Sequence, residues 1–331
     1  MAADTRTATE VAAPAITAPT NAMGMPRHHL LIFAGLLALG LVGPFVLYPV
    51  FLMKVMCFAL FACAFNLLLG YGGLLSFGHA AYFGSASYVS AYAAKAWGLT
   101  PELAILLGTT TAAVLGLVFG ALAIRRQGIY FAMVTLAFAQ MVFFFSVQAP
   151  FTGGEDGIQS VPRGHLFGLI DLGPDRSLYF LVLAITFLGL LLIYRIIHSP
   201  FGQVLKAIRD NEPRSISLGY RANQYKLAVF VLSATLAGLA GATKALVFQL
   251  ASLTDVYWTM SGEVVLMTLL GGMGTVFGPI VGAAVVVAMQ NYLATFGAWV
   301  TIIQGVIFVV SVLLFREGII GVLGRWLKKP L

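Results

Sequence analysis

The chain has 331 residues, of which 60% are hydrophobic and only 9% charged, with a formal net charge of +7. Soluble globular chains carry about 25% charged residues, so this composition excludes a soluble enzyme and a soluble nucleic-acid-binding module. Residues 55–94 carry no formal charge with His79 neutral, and residues 264–315 carry none. Each run holds two or more helical spans of ~20 residues and lacks the ~10-residue alternation of a membrane barrel. The fold class is an all-α polytopic membrane protein.

Residues 1–27, rich in Ala, Thr and Pro without an apolar period, read as a disordered cytoplasmic tail. Apolar segments follow near 30–50, 51–70, 74–94, 102–124, 128–148, 178–197, 227–250, 261–272, 276–293 and 298–315. That gives about ten transmembrane or re-entrant helices, with eight as the fallback; 261–272 is too short to cross alone. Basic residues collect in cytoplasmic loops. Arg27, Arg125-Arg126, the stretch 199–226, and Arg316, Arg325, Lys328 and Lys329 therefore belong inside. The 149–177 loop, with Glu155, Asp156, Asp171 and Asp175 against Arg163 and Arg176, belongs outside, as does Asp255. Ten crossings with both termini cytoplasmic satisfy every loop. Residues 28–315 form the membrane domain, 316–331 a cytoplasmic tail, and the positive charge needs no nucleic acid.

The polar island Ser199–Lys226 carries Lys206, Arg209, Arg214, Arg221 and Lys226 against Asp210 and Glu212. Ser199-Pro200 has the form of an N-cap followed by proline at the first helical position. Val204, Leu205 and Ile208 recur at helical spacing, with Lys206, Arg209 and Asp210 largely on the other side. Glu212-Pro213 ends or kinks this helix, and a second short segment, Ser215 to Leu218, precedes Gly219. The pattern describes a surface helix offering apolar knobs beside charge to a soluble partner. The plainer alternative is a solvated loop that only sets orientation.

The run Gly72-Gly73-Leu74-Leu75-Ser76-Phe77-Gly78 is echoed by Gly271-Gly272-Met273-Gly274-Thr275-Val276-Phe277-Gly278. Glycine-interrupted hydrophobic segments at matching places in two halves mark the translocation region of many transporters; ordinary small-residue helix packing is the alternative. His79 lies deep in a span, either as a functional ionisable group or as a neutral imidazole bonded to a serine or carbonyl. Ser76, Ser85, Ser87, Thr135, Gln140, Gln249 and Thr268 either line a path or bond a neighbouring helix. Lys244 and Glu263 flank the external Asp255 loop, as a pair or with Lys244 reaching for the interface. Gly153, Gly154, Asp156 and Gly157 form a partner contact or a plain turn. Two adjacent acids there fall short of the 6–8 oxygens of a calcium site, so no metal is expected. Cys57 and Cys63 read as free packing thiols.

Several of these stretches resemble one family. Ser199–Pro213 and Ser217–Ala242 are similar to the cytoplasmic coupling region of LivM-type permeases, the membrane subunits of branched-chain amino acid ABC importers. Asn66–Gly73 with Leu75–Ala80, Arg125–Ala137, Thr152–Ile158 and Gly271–Thr275 resemble its other characteristic segments, in the same order, over about residues 45–315. Pro213, Arg214, Ser215 and Ser217 stand where family members often carry alanines. The resemblance implies a non-enzymatic permease of a bacterial cell membrane, embedded in the lipid bilayer and moving branched-chain amino acids inward. It implies a second permease subunit, two cytoplasmic ATPase subunits that hold ATP and Mg, and an extracytoplasmic substrate-binding protein. This chain has no cofactor of its own and no G-x-x-x-x-G-K-[ST] loop. The coupling residues would be Ser199, Pro200, Gly202, Lys206, Ile208, Arg209, Asp210, Glu212 and Gly219. Path candidates are Gly72, Gly73, Ser76, His79, Thr135, Gly271, Gly272 and Gly274. The alternatives are a urea or short-amide permease of the same architecture, or a stand-alone secondary transporter, which would need intramembrane charges.

Overall fold

The computed structural model describes residues 27–293, 297, 299–314 and 318–321. Residues 1–26 of the expected N-terminal tail, and all but 318–321 of the expected C-terminal tail, lie outside the described residues. Two compact units meet at Gly40–Leu41, inside the first helix, α1 (Arg27–Val46). The second unit holds α2 (Pro49–Asn66), α3 (His79–Lys95), α4 (Pro101–Ala123), α5 (Ile129–Gln148) and α6 (Asp175–His198). Two short helices, α7 (Pro200–Asp210) and α8 (Glu212–Ser217), precede α9 (Ala222–Phe248), α10 (Trp258–Gly271), α11 (Gly278–Tyr292) and α12 (Trp299–Leu314).

Among the described residues, six helices are long and apolar enough to cross a membrane: α1, α2 with its extension to Tyr71, α4, α5, α6 and α9. The helices α3, α10, α11 and α12 span 17, 14, 15 and 16 residues. At the 1.5 Å rise of a helix none covers the ~30 Å hydrocarbon core by itself. The expected span 74–94 starts five residues late for a physical reason: the chain leaves the helix at Gly72 and Gly73 and regains it only at His79.

The helices α3, α4 and α9 meet backbone to backbone. Along α4, Gly108, Ala112, Gly116 and Gly120 recur every four residues and so share one face. A Cβ on Gly108 would lie 2.6 Å from the Ala86 carbonyl oxygen, and one on Gly116 2.5 Å from Ala234 Cβ. On α9, Gly238 faces Ala112 and Gly241 faces the Phe83 carbonyl, with no room for a Cβ at either. Without a hydrophobic drive between helices in lipid, close van der Waals approach through small residues holds them together. Beside this seam the rings of Phe61, Phe65, Tyr82, Phe83, Phe131 and Phe230 are fully buried.

The loops gather at two ends. At one, β1 (Ile158–Gln159) pairs antiparallel with β4 (Leu250–Ala251), and β2 (His165–Leu166) with β3 (Ile170–Asp171). Lys95 Nζ donates to the Gln159 carbonyl at 2.8 Å. Arg163 joins the Asp175 carboxylate at 2.6 Å and the Val247 carbonyl at 3.2 Å. At the other end, Glu212 accepts from Lys226 Nζ at 2.6 Å and from Gln127 Nε2 at 3.3 Å. The loops with acidic excess therefore share one end, and the basic 125–127 and 199–226 segments share the other.

Replacing Gly241 by Ala drives a methyl group into the Phe83 carbonyl. We expect about 1–3 kcal/mol of destabilisation, read as a lowered thermal midpoint in detergent. Gly262→Ala, where nothing lies within 4 Å, should leave the midpoint in place.

Candidate functional site

The basic segment 199–226 begins with a sharp reversal. Ser199 is extended (φ −78°, ψ 165°) and accepts a bond from the Gly202 N–H at 3.4 Å, capping α7. Its hydroxyl donates to the Ile196 carbonyl at 2.7 Å. Pro200 occupies the first turn, where its missing N–H costs nothing. Gly202 lies against the carbonyls of Ile196 and Ile197, leaving no room for a side chain. Asn211 caps α8 by accepting from the Arg214 N–H at 3.0 Å. After α8 the turn closes at Gly219, whose φ of +91° suits glycine.

The amphipathic face of α7 corrects one expectation. Leu205 and Ile208 are 0% and 2% exposed, so this face packs into the bundle instead of offering knobs to a partner. The exposed apolar groups come from the next turn: Ile216 at 55%, Leu218 at 69% and Tyr220 at 41%. Glu212 is likewise committed to Lys226 and Gln127 within the chain.

The other expected glycines meet beside α7. Helix α2 widens into a π-helical turn, Leu67–Tyr71, and then breaks at Gly72 and Gly73 (φ +68°). The N–H groups of Gly73 and Leu74 return to the carbonyls of Leu69 and Leu68, at 3.1 and 3.2 Å. Ser76 Oγ accepts from the Gly78 N–H at 3.2 Å, and Thr135 Oγ1 from the Phe77 N–H, also at 3.2 Å. In the second half, α10 ends at Gly271, Gly272 and Gly274 carry φ of +122° and +77°, and Thr275 Oγ1 accepts from the Gly278 N–H at 3.1 Å. The two breaks thus share one local device: a hydroxyl three residues ahead of the helix start accepts an N–H at its entry, that of Gly78 just before α3 and that of Gly278 opening α11.

Asn66 ties the two breaks together. Its Nδ2 donates to the Thr275 carbonyl at 2.8 Å and its Oδ1 accepts from the Gly274 N–H at 2.9 Å. Gly70 abuts Gly274: a Cβ on it would lie 2.5 Å from the Gly274 nitrogen. Arg209 of α7 reaches the same point. Its guanidinium donates to the Gly70 carbonyl, its stem covers Gly73, and Asp210 accepts from its Nη2 at 2.9 Å. Lys206 stands 5.4 Å from the Tyr71 ring centre, in cation–π range. Burial and, next, the nearby Arg209 charge lower the Lys206 ammonium from the usual lysine range, with Asp210 opposing.

Gly73 and Gly274 therefore meet at Arg209, Gly72, Gly271 and Gly272 belong to the same two breaks, and Ser76 and Thr135 hold the 76–78 segment. His79 sits beyond them at the start of α3. Its Nε2 lies 2.9 Å from Ser233 Oγ, which donates its own proton to the Ala64 carbonyl at 2.5 Å. That assigns Nε2–H as the donor and leaves Nδ1 the free acceptor, without a partner among the described residues. Phe65, Tyr82 and Phe230 present edges around the ring, with centres 5.0, 5.6 and 6.0 Å away. Gly153 (φ +78°), Gly154 (+59°) and Gly157 (+67°) lie at the opposite end and shape the turn into β1, with Asp156 exposed. Of the two readings for Lys244, pairing holds but with Asp255, at 2.6 Å to both carboxylate oxygens; Glu263 instead accepts from Gln290 at 3.0 Å. Sequence reasoning missed Asn66, Ser233 and Ser261, whose Oγ accepts from the Ala80 N–H at 2.9 Å. Asn66 was findable, as the lone amide in an apolar run just ahead of the glycines. Among the described residues no His, Cys, Asp and Glu group is placed to hold a metal.

Asn66→Ala leaves a buried N–H and carbonyl unpaired, at about 1–3 kcal/mol each, and should lower the thermal midpoint in detergent more than Asn66→Gln does. Asp255→Asn strands the Lys244 ammonium, with an expected loss of about 3–5 kcal/mol; Asp255→Asn with Lys244→Met should recover most of it in the same melt.

Residues 48–312 match the family described as branched-chain amino acid transport system, permease component. The chain is 27% identical over 288 residues to the high-affinity branched-chain amino acid transport system permease protein LivM of Escherichia coli K12, covering 80% of this chain and 68% of that one. LivM of Salmonella typhimurium matches to the same extent. The ribose import permease protein RbsC of Bacillus subtilis is 26% identical over 236 residues, covering 66% of this chain and 70% of that one. No solved structure matches. The chain is a multi-pass membrane protein of the bacterial inner membrane, and it belongs to the permease component family of branched-chain amino acid ABC transport systems.

Proposed function

We propose that the chain is one of two permease subunits of an ABC importer that moves branched-chain amino acids inward, driven by ATP hydrolysis on two separate cytoplasmic subunits and fed by an extracytoplasmic binding protein. The observation that carries this reading is Arg209. One side chain on a basic, solvent-edged helix holds the carbonyl of Gly70, where both internal helix breaks meet. A push on α7 from a soluble motor would reach the membrane interior through that contact. The LivM matches cover 80% of this chain against 66% for RbsC, which favours the amino-acid cargo over the ribose named for RbsC.

In this reading the end bearing Arg125, Arg126, Lys206, Arg214 and Arg221 is cytoplasmic, as the positive-inside rule requires. Ten crossings with both termini inside follow from it. The motor rests on Ile216, Leu218 and Tyr220, while Arg209 and Glu212 transmit instead of dock. The loop with Gly153, Gly154, Asp156 and Gly157 meets the binding protein outside.

The full assembly in proteoliposomes tests this. L-leucine uptake should require ATP and the binding protein, and excess urea should not compete. Ile216→Asp with Leu218→Asp should abolish co-purification of the ATPases. Arg209→Ala should keep co-purification and hydrolysis but cut uptake about tenfold or more, ~1.4 kcal/mol of lost coupling. ATP-independent leucine uptake by this chain alone would overturn the reading.

A further inference from the structure

Lys244 and Lys54 both stand near the external ends of helices, and they are treated differently. Lys244 is paired with Asp255. Lys54, about a turn and a half into α2, is half-buried and forms no hydrogen bond or ion pair among the described residues. It forms no ion pair with Glu263, which also lies about a turn and a half into α10. Glu263 is held by Gln290, the residue before Asn291 near the end of α11. Three helices thus bring a cation, an anion and two amides to one depth.

A half-open cavity of about 240 Å³ opens beside this layer, lined by Tyr48, Phe51, Lys54, Phe248, Asn291 and Tyr292 among others. It is smaller than the roughly 300–1,000 Å³ of drug-sized ligand sites. Its walls are aromatic, with Phe51 and Tyr292 ring centres 6.1 Å apart, and its charged group is the Lys54 ammonium. An unpaired ammonium at membrane depth is costly and marks a ligand or ion path by default. The aromatic walls beside that ammonium suit a molecule that carries a carboxylate and an apolar group.

We propose that this cavity is an external subsite for a small zwitterion with an apolar side chain. Lys54 and Asn291 take the carboxylate, and Phe51, Phe248 and Tyr292 take the side chain. The inference rests on the amino-acid reading above and gives that cargo a first contact within the permease.

A binding protein would dominate uptake kinetics, so the test reads binding directly. Tritiated L-leucine is titrated onto the detergent-purified complex of both permeases and both ATPases, without binding protein. Lys54→Gln should weaken binding about tenfold or more, and Lys54→Arg less than threefold. Unlabelled 4-methylpentanoate, which lacks the ammonium, should compete in the wild type and lose that competition in Lys54→Gln. Asn291→Leu offers an independent variant and should weaken leucine binding in the same sense. Unchanged affinity in Lys54→Gln, or no leucine binding to a complex that takes leucine up in proteoliposomes, overturns the subsite. A wild-type assembly that takes up no leucine overturns the amino-acid reading instead.

Discussion

A helix that stops inside a bilayer leaves N–H and carbonyl groups facing hydrocarbon, where each unpaired group costs several kcal/mol. This chain stops two helices in that way, at Gly72–Gly73 and at Gly272–Gly274, and the surrounding structure answers both. Ser76, Thr135 and Thr275 take early N–H groups, Asn66 takes one group of each kind across the two breaks, and Arg209 takes the Gly70 carbonyl. Irregular backbone at membrane depth is tolerated only where protein buries it or where it lines a cavity. Here protein covers much of it, with Gly73 and Met273 left exposed and Gly274 half-buried, and one of the covering groups comes from outside the apolar core.

That dependence links regions distant in sequence. Asn66 and Thr275 are 209 positions apart, and Arg209 and Gly70 are 139 apart. Local hydroxyls and carbonyls satisfy only part of each break, so each half of the chain completes the other. The proposed motor contact would act on this shared junction through α7, whose apolar side is buried and whose stem lies on Gly73. Lys206 on the Tyr71 ring adds a second point of attachment one helical turn away.

Much of this was legible in the residues, and the gaps have physical causes. The apolar runs gave the helices because a span must satisfy its backbone internally, and charge sorted the loops into the two groups that the structure gathers at opposite ends. The glycine echo was visible because only glycine takes the positive φ at Gly73 and Gly274 so readily. The inward turn of Leu205 and Ile208 was not legible: an amphipathic period says that a face is buried, not against what. The partner of Lys244 was equally hidden, since Asp255 and Glu263 both lie within reach in sequence and only the turn from Ser252 to Asp255 decides between them. The β1–β4 ladder is two residues long on each side, too short to leave a periodic trace.

The seam among α3, α4 and α9 has a mechanical consequence. Where Gly108, Gly116, Gly238 and Gly241 set backbone against backbone, no flexible side chain lies between the helices to yield under load. Sliding one past another would force methyl groups into carbonyls or open voids, and interiors packed at this density resist both. The three helices therefore form a stiff slab. Torsion applied at one end of such a slab is carried to the other with little loss.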